Sequence, residues 1–223
     1  MTGITSDVIT MGASGRDTVR LVGTAILAAM VIVFDYTLKY SGLKIPFPWM
    51  PFLKFDFTGV PIMISLFLFG LPSAVTTSLA AFLGIMARSG EIVGATSKAV
   101  AELSTALGIA AGLRLTGDRG IDSVITKGAS VTLGLLSRVV VMSLWNIVVL
   151  PNYQGIPYDY VVGLLPMLGV FNAMQGAMTV VLGYTLHEAY LRRVPTQNRT
   201  VPTISETLPP RTDCFLCPHE SII

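Results

Sequence analysis

The sequence predicts an all-α membrane protein: six transmembrane helices, both termini cytoplasmic, and a structured proline- and aromatic-rich outer loop between helices 1 and 2. Composition carries the first part of this. With 52% hydrophobic residues, 13% charged and a mean hydropathy of +0.68, a chain of 223 residues is too apolar for a soluble domain, so the lipid bilayer is its surrounding. Apolar runs then recur at residues 18–38, 57–70, 72–87, 97–115, 128–150 and 166–190, most of them near the ~20 residues that cross a hydrocarbon core. Charge asymmetry supplies the orientation. Six spans with the amino terminus inside leave nine Lys and Arg in the cytoplasm, Arg16, Arg20, Arg114 and Arg192 among them, against five outside. Five spans would reverse the bias, with four inside and ten outside.

Residues 1–17 read as a cytoplasmic segment. They lack the short apolar run and small-residue cleavage site of a secretory signal, so the first run is retained as a span. Within it Ala25 and Ala29, with Gly23 and Ala28 nearby, make a smooth strip that another helix can approach closely. Asp35 and Lys39, four apart, are expected to pair locally. The linker Lys44–Pro61 holds four prolines and several aromatics, which forbids a regular helix and makes it a lid over the membrane-embedded part. Gly70-Leu71-Pro72 breaks what would otherwise be one long run into helices 2 and 3, with helix 2 extended outward by Phe52, Phe55 and Phe57. Pro166 is the expected first residue of helix 6. Residues 18–190 thus form a six-helix transmembrane domain, and residues 191–223 a disordered cytoplasmic tail, polar and proline-rich. Cys214, Cys217 and His219 in that tail have metal-like spacing but offer too few ligands for a structural zinc site.

Ionisable and amide side chains inside spans are costly unless partnered or facing a cavity, so each is a site candidate. They are Glu102 in helix 4, Arg138 and Asn146 in helix 5, and Asn172 and Gln175 in helix 6. At 1.5 Å per residue, Glu102, Asn146, Asn172 and Gln175 fall roughly 6–13 Å below the outer ends of their helices. Lys98 lies higher, where it either snorkels to the interface or joins the site. Around them stand Trp145, Phe171 and Tyr153, with Phe47 and Trp49 in the lid to close from above; Trp49 serves equally as an interfacial anchor. Carboxamides pair side-on with the edge of a flat heterocycle and aromatics cover its faces, which favours a planar, largely uncharged small molecule. The same amides also serve to fasten helices together. Arg138 lies some 9 Å deeper than Glu102 by this reckoning, which leaves it either bonding helix carbonyls or touching ligand. No nucleophile-and-base set, phosphate loop, metal triad or nucleotide fingerprint is present, so the chain reads as a non-enzyme without cofactor, and its net charge of +2 gives no nucleic-acid footprint.

At three stretches the chain resembles the substrate-binding S component of an energy-coupling factor (ECF) vitamin transporter, closest to the riboflavin-specific branch. These are Leu53–Pro61 followed by Phe67-Leu-Phe-Gly70, then Arg138–Pro151, then Phe171-Asn-Ala-Met-Gln-Gly176. The resemblance implies a prokaryotic plasma-membrane protein that binds riboflavin under the first loop and delivers it through a membrane coupling protein and two ATPase subunits. It implies Asn146, Asn172 and Gln175 as ligand contacts and Ala25 and Ala29 as the docking strip. It also implies that the whole S component topples in the membrane to deliver its cargo. The chain departs from that branch at Gln175, where a lysine is usual, and in helix 4 at Lys98 and Glu102. Another vitamin or a deazapurine precursor is therefore the alternative ligand, and a structural membrane protein the alternative function.

Overall fold

Among the described residues, six helices form one bundle, with a small β-hairpin at one end. The structure, a computed structural model, describes residues 3–42, 44–116 and 124–193. The tail with Cys214, Cys217 and His219 lies outside them. The elements run α1 (Gly3–Tyr40), β1 (Ile45–Phe47), β2 (Met50–Phe55), α2 (Gly59–Phe69), α3 (Leu71–Ser89), α4 (Ile92–Thr116), α5 (Val124–Gln154) and α6 (Tyr158–Arg193).

Five of the six helices, α1 and α3–α6, are long and apolar enough to cross a membrane. The second is not: α2 has 11 residues, about 16 Å of helix against a hydrocarbon core of about 30 Å. It is nevertheless the most enclosed element, with eight residues from Gly59 to Phe69 buried. Its end is set where the sequence places it, at Gly70, whose φ of 85° suits a residue without Cβ, while Pro72 opens α3. Arg20 Nη2 donates to the Phe69 carbonyl at 3.1 Å, and Thr24 Oγ1 to Ser73 Oγ at 2.9 Å, so α1 closes this break. Helix bounds differ most in α1, which starts at Gly3 and so takes in most of the segment expected to precede the first span, and next in α6, which starts at Tyr158 and carries Pro166 inside it. A proline can sit within a membrane helix because neighbouring helices shield the freed backbone groups.

The lid is a β-hairpin, which the sequence reading did not foresee. Ile45 pairs with Phe55 and Pro46 with Lys54, and an irregularity follows between Pro46 and Phe47. Two strands have only edges, so a proline costs no central ladder bond. Phe55 therefore ends a strand instead of extending the second helix. Phe47, fully buried, sits edge-on to Phe55 and Phe171 at 5.8 and 5.4 Å, and these rings with Met50, Leu150, Val161 and Leu168 seat the hairpin on α5 and α6.

Small residues let α4 and α5 approach closely. A Cβ on Gly108 would lie 2.7 Å from both Gly134 Cα and the Leu133 carbonyl oxygen, which are backbone atoms that cannot swing away. Gly108→Ala should therefore lower stability by about 1–3 kcal/mol. Gly128→Ala, with nothing within 4 Å of the new atom, should be neutral or stabilising by up to about 1 kcal/mol. Thermal melts in detergent check both.

Candidate functional site

Beneath the hairpin lies a cavity of about 330 Å³, at the lower end of the size range for small-molecule sites. Leu53, Lys54 and Asp56 line it from the hairpin and its exit; Ser97, Lys98, Ala101 and Glu102 from α4; Arg138, Met142, Asn146 and Leu150 from α5; and Leu168, Phe171, Asn172 and Gln175 from α6. Helices α1 and α3 contribute no lining residue among those described. The stripe Arg138, Met142, Asn146 faces it, as a four-residue repeat on one helix requires.

Of the predicted site residues, Lys98, Glu102, Asn146, Phe171, Asn172 and Gln175 meet around this cavity. Phe47, Trp49 and Trp145 do not line it. Phe47 stands one layer back, its ring 5.4 Å from that of Phe171, which does line the cavity. Trp49 stands in the hairpin turn, 64% exposed, with its edge toward Phe47. Trp145 is turned to donate its indole N–H to Ser97 Oγ at 2.9 Å, tying α5 to α4. Tyr153 is exposed at the end of α5.

The amides play unequal parts. Asn146 is buried and makes no side-chain hydrogen bond to any described residue, so its donor and acceptor both remain for an occupant. Asn172 donates Nδ2 to the Leu168 carbonyl of its own helix at 2.9 Å, which leaves Oδ1. Gln175 is engaged elsewhere: Nε2 donates to the Asp56 carbonyl at 2.7 Å, and Oε1 accepts from the Asp56 backbone N–H at 3.4 Å.

Asp56 is the residue that the sequence reading missed. Its carboxylate accepts from Thr58 Oγ1 at 2.9 Å and from Lys98, with Lys44 3.9 Å away. Burial pushes the Asp56 carboxyl up, but the Lys98 and Lys44 ammoniums and the Thr58 bond outweigh it and hold the group below its ordinary value. Asp-Phe-Thr after an aromatic strand is the available signal, since Asp bonds backbone two residues on. Lys98 therefore does not snorkel: it is an ion-pair partner at the cavity wall. Nor do Asp35 and Lys39 pair. Asp35 turns inward to Arg88 Nε at 2.7 Å and Lys44 Nζ at 3.1 Å, while Lys39 is exposed.

At the floor, Arg138 Nη1 donates to Glu102 Oε1 at 3.1 Å and to Thr105 Oγ1 at 3.2 Å, with the Ala101 carbonyl at 3.5 Å. The direct pair replaces the depth argument, because α4 and α5 run antiparallel and the long arginine spans the difference. The Glu102 carboxylate lies against Gly59, where a Cβ would come within 2.7 Å of it, and its Oε2 has no hydrogen-bond partner among the described residues. Arg138→Met strands that buried carboxylate and should cost about 3–5 kcal/mol. Glu102→Leu combined with Arg138→Met should recover most of the loss, as a double-mutant cycle of detergent melts would read.

Ala25 and Ala29 are exposed on α1, away from the cavity. Among solved structures the chain is similar to the S component of a bacterial ECF transporter, with a TM-score of 0.64 and 22% identity over 79% of this chain and 97% of that one. No protein-family model and no curated protein matches the sequence.

Proposed function

We propose that the chain is the high-affinity binding subunit for uptake of riboflavin, in a prokaryotic plasma membrane, handing it to an ATP-driven ECF module. The observation that carries this reading is Asn146, a buried carboxamide with no partner among the described residues, on the wall of a cavity that Asn172 and Phe171 also line. Side chains that merely fastened helices would be paired to those helices. The fold of an ECF S component supports the transport class. The hairpin end is the outer end on this reading. Tyr40, Trp49, Tyr153, Tyr158 and Tyr160 are exposed there, as in an interfacial belt, whereas Arg114, Arg192 and Arg193 lie at the other end. In this frame α2 is a half-length helix whose approach from outside is completed by the buried loop at Asp56 and Thr58.

Another flat vitamin or heterocyclic precursor is the second reading. Gln175 favours it: the position gives the cavity an amide already held by the Asp56 backbone, and no cation.

Titrating the purified protein into riboflavin should quench flavin fluorescence with tight, saturable binding. Asn146→Ala and Asn172→Ala should each weaken that binding by about 1–3 kcal/mol, and normal binding by both would remove the pocket from consideration. For docking, the exposed strip at Ala25 and Ala29 is the proposed surface. Ala25→Trp should abolish uptake in cells while ligand affinity stays intact; equal loss of both would make the strip a folding element.

A further inference from the structure

We infer that Asp35, a carboxylate outside the cavity, governs ligand exchange as a positioning residue, by fastening the hairpin through Lys44. The ligand part of this rests on the cavity being the binding site proposed above.

Asp35 is 1% exposed and divides its two oxygens between distant partners. Oδ2 accepts from Arg88 Nε, in the last turn of α3, at 2.7 Å. Oδ1 accepts from Lys44 Nζ, at the entry to β1, at 3.1 Å. Lys44 in turn stands 3.9 Å from Asp56 Oδ2, at the exit of β2, and Lys98 of α4 meets that same oxygen. Arg88, Asp35, Lys44, Asp56 and Lys98 thus form a chain of alternating charge from α3 through α1 and both ends of the hairpin to the cavity wall.

The hairpin needs such a fastening. Its strands have three and six residues, and an isolated two-stranded ribbon of that size is marginal in water. Its aromatic face holds Phe47, at the turn end of β1, and Phe55, at the end of β2, and the Gln175 bonds hold Asp56. The entry side has Lys44, whose hydrogen-bond partner is Asp35. These groups are largely withdrawn from water, with side-chain exposures of 18% for Lys44, 8% for Arg88 and 2% for Asp35, so their attraction is little screened. Neither α1 nor α3 lines the cavity, whereas Leu53, Lys54 and Asp56 of the hairpin and its exit do, so the hairpin is the direct route from Asp35 to ligand, and the exchange of α4 reads the route through the end of α3.

Hydrogen exchange followed by mass spectrometry on the full chain in detergent tests this without any ligand. Asp35→Asn and the charge-balanced pair Asp35→Asn with Arg88→Gln should both speed exchange of backbone amides 44–58 by about tenfold, with α4–α6 unchanged. The double variant guards against misfolding from a stranded arginine. Stopped-flow with riboflavin should then show association and dissociation rising together by about tenfold, with Kd within about threefold of the starting value. Unchanged hairpin exchange in the double variant overturns the inference, as does faster dissociation with unaltered association, the mark of a lost contact. Wild-type protein that takes up no riboflavin sinks the vitamin reading, while hydrogen exchange still decides the fastening.

Discussion

Asp56 is where the non-helical part of this chain is tied to the helical part. A hairpin leading into a bundle brings peptide groups that no helix satisfies, and burying them unpaired is costly. Gln175 answers both the N–H and the carbonyl of Asp56 from α6, and Lys98 answers its carboxylate from α4. With those three bonds the chain turns from strand to helix inside the protein, and α2 starts at Gly59 already below the hairpin. Loss of this knot would leave the cavity without a wall on that side, since Asp56, Lys98 and Gln175 all line it.

The cavity floor obeys a harsher rule. Glu102 and Arg138 are 1% and 3% exposed, and two such charges are tolerable at depth only because they face each other and Thr105. Gly59 and Gly176 make room for them, since a Cβ on either would lie within 3 Å of the Glu102 carboxylate or the Arg138 chain. Glycine at those positions is thus a requirement of the charged floor, not of a turn. The pair closes the bottom between α4 and α5, and the apolar cluster of Ile62, Met63, Leu66, Ala106 and Ile109 fills part of the bundle beyond the cavity.

Local signals were readable in the sequence. The six apolar runs correspond to six helices, the Gly70-Leu71-Pro72 break lies where glycine and proline put it, and the in-span polar residues gather at one cavity. What was not readable depends on contacts between distant residues. Asp35 and Lys39 have helix spacing, yet Asp35 pairs with Arg88, 53 residues away, because the α3 end brings a cation inward while Lys39 points to the surface. Proline in both strand segments masked the hairpin, as its edge-only character makes those prolines harmless. Pro166 suits a helix start, yet α6 runs through it, held by packing against neighbouring helices that local spacing does not encode.

On the proposed reading these parts serve one purpose: a shaped space below the hairpin, with Asn146 and Asn172 Oδ1 left over to select a flat nutrient. The most direct measurement is native mass spectrometry of the intact protein purified from cells grown with the vitamin. One stoichiometric small-molecule adduct per chain, released on unfolding as riboflavin, is the predicted result. A chain that carries no adduct, and gains none when riboflavin or related heterocycles are added, would contradict the account.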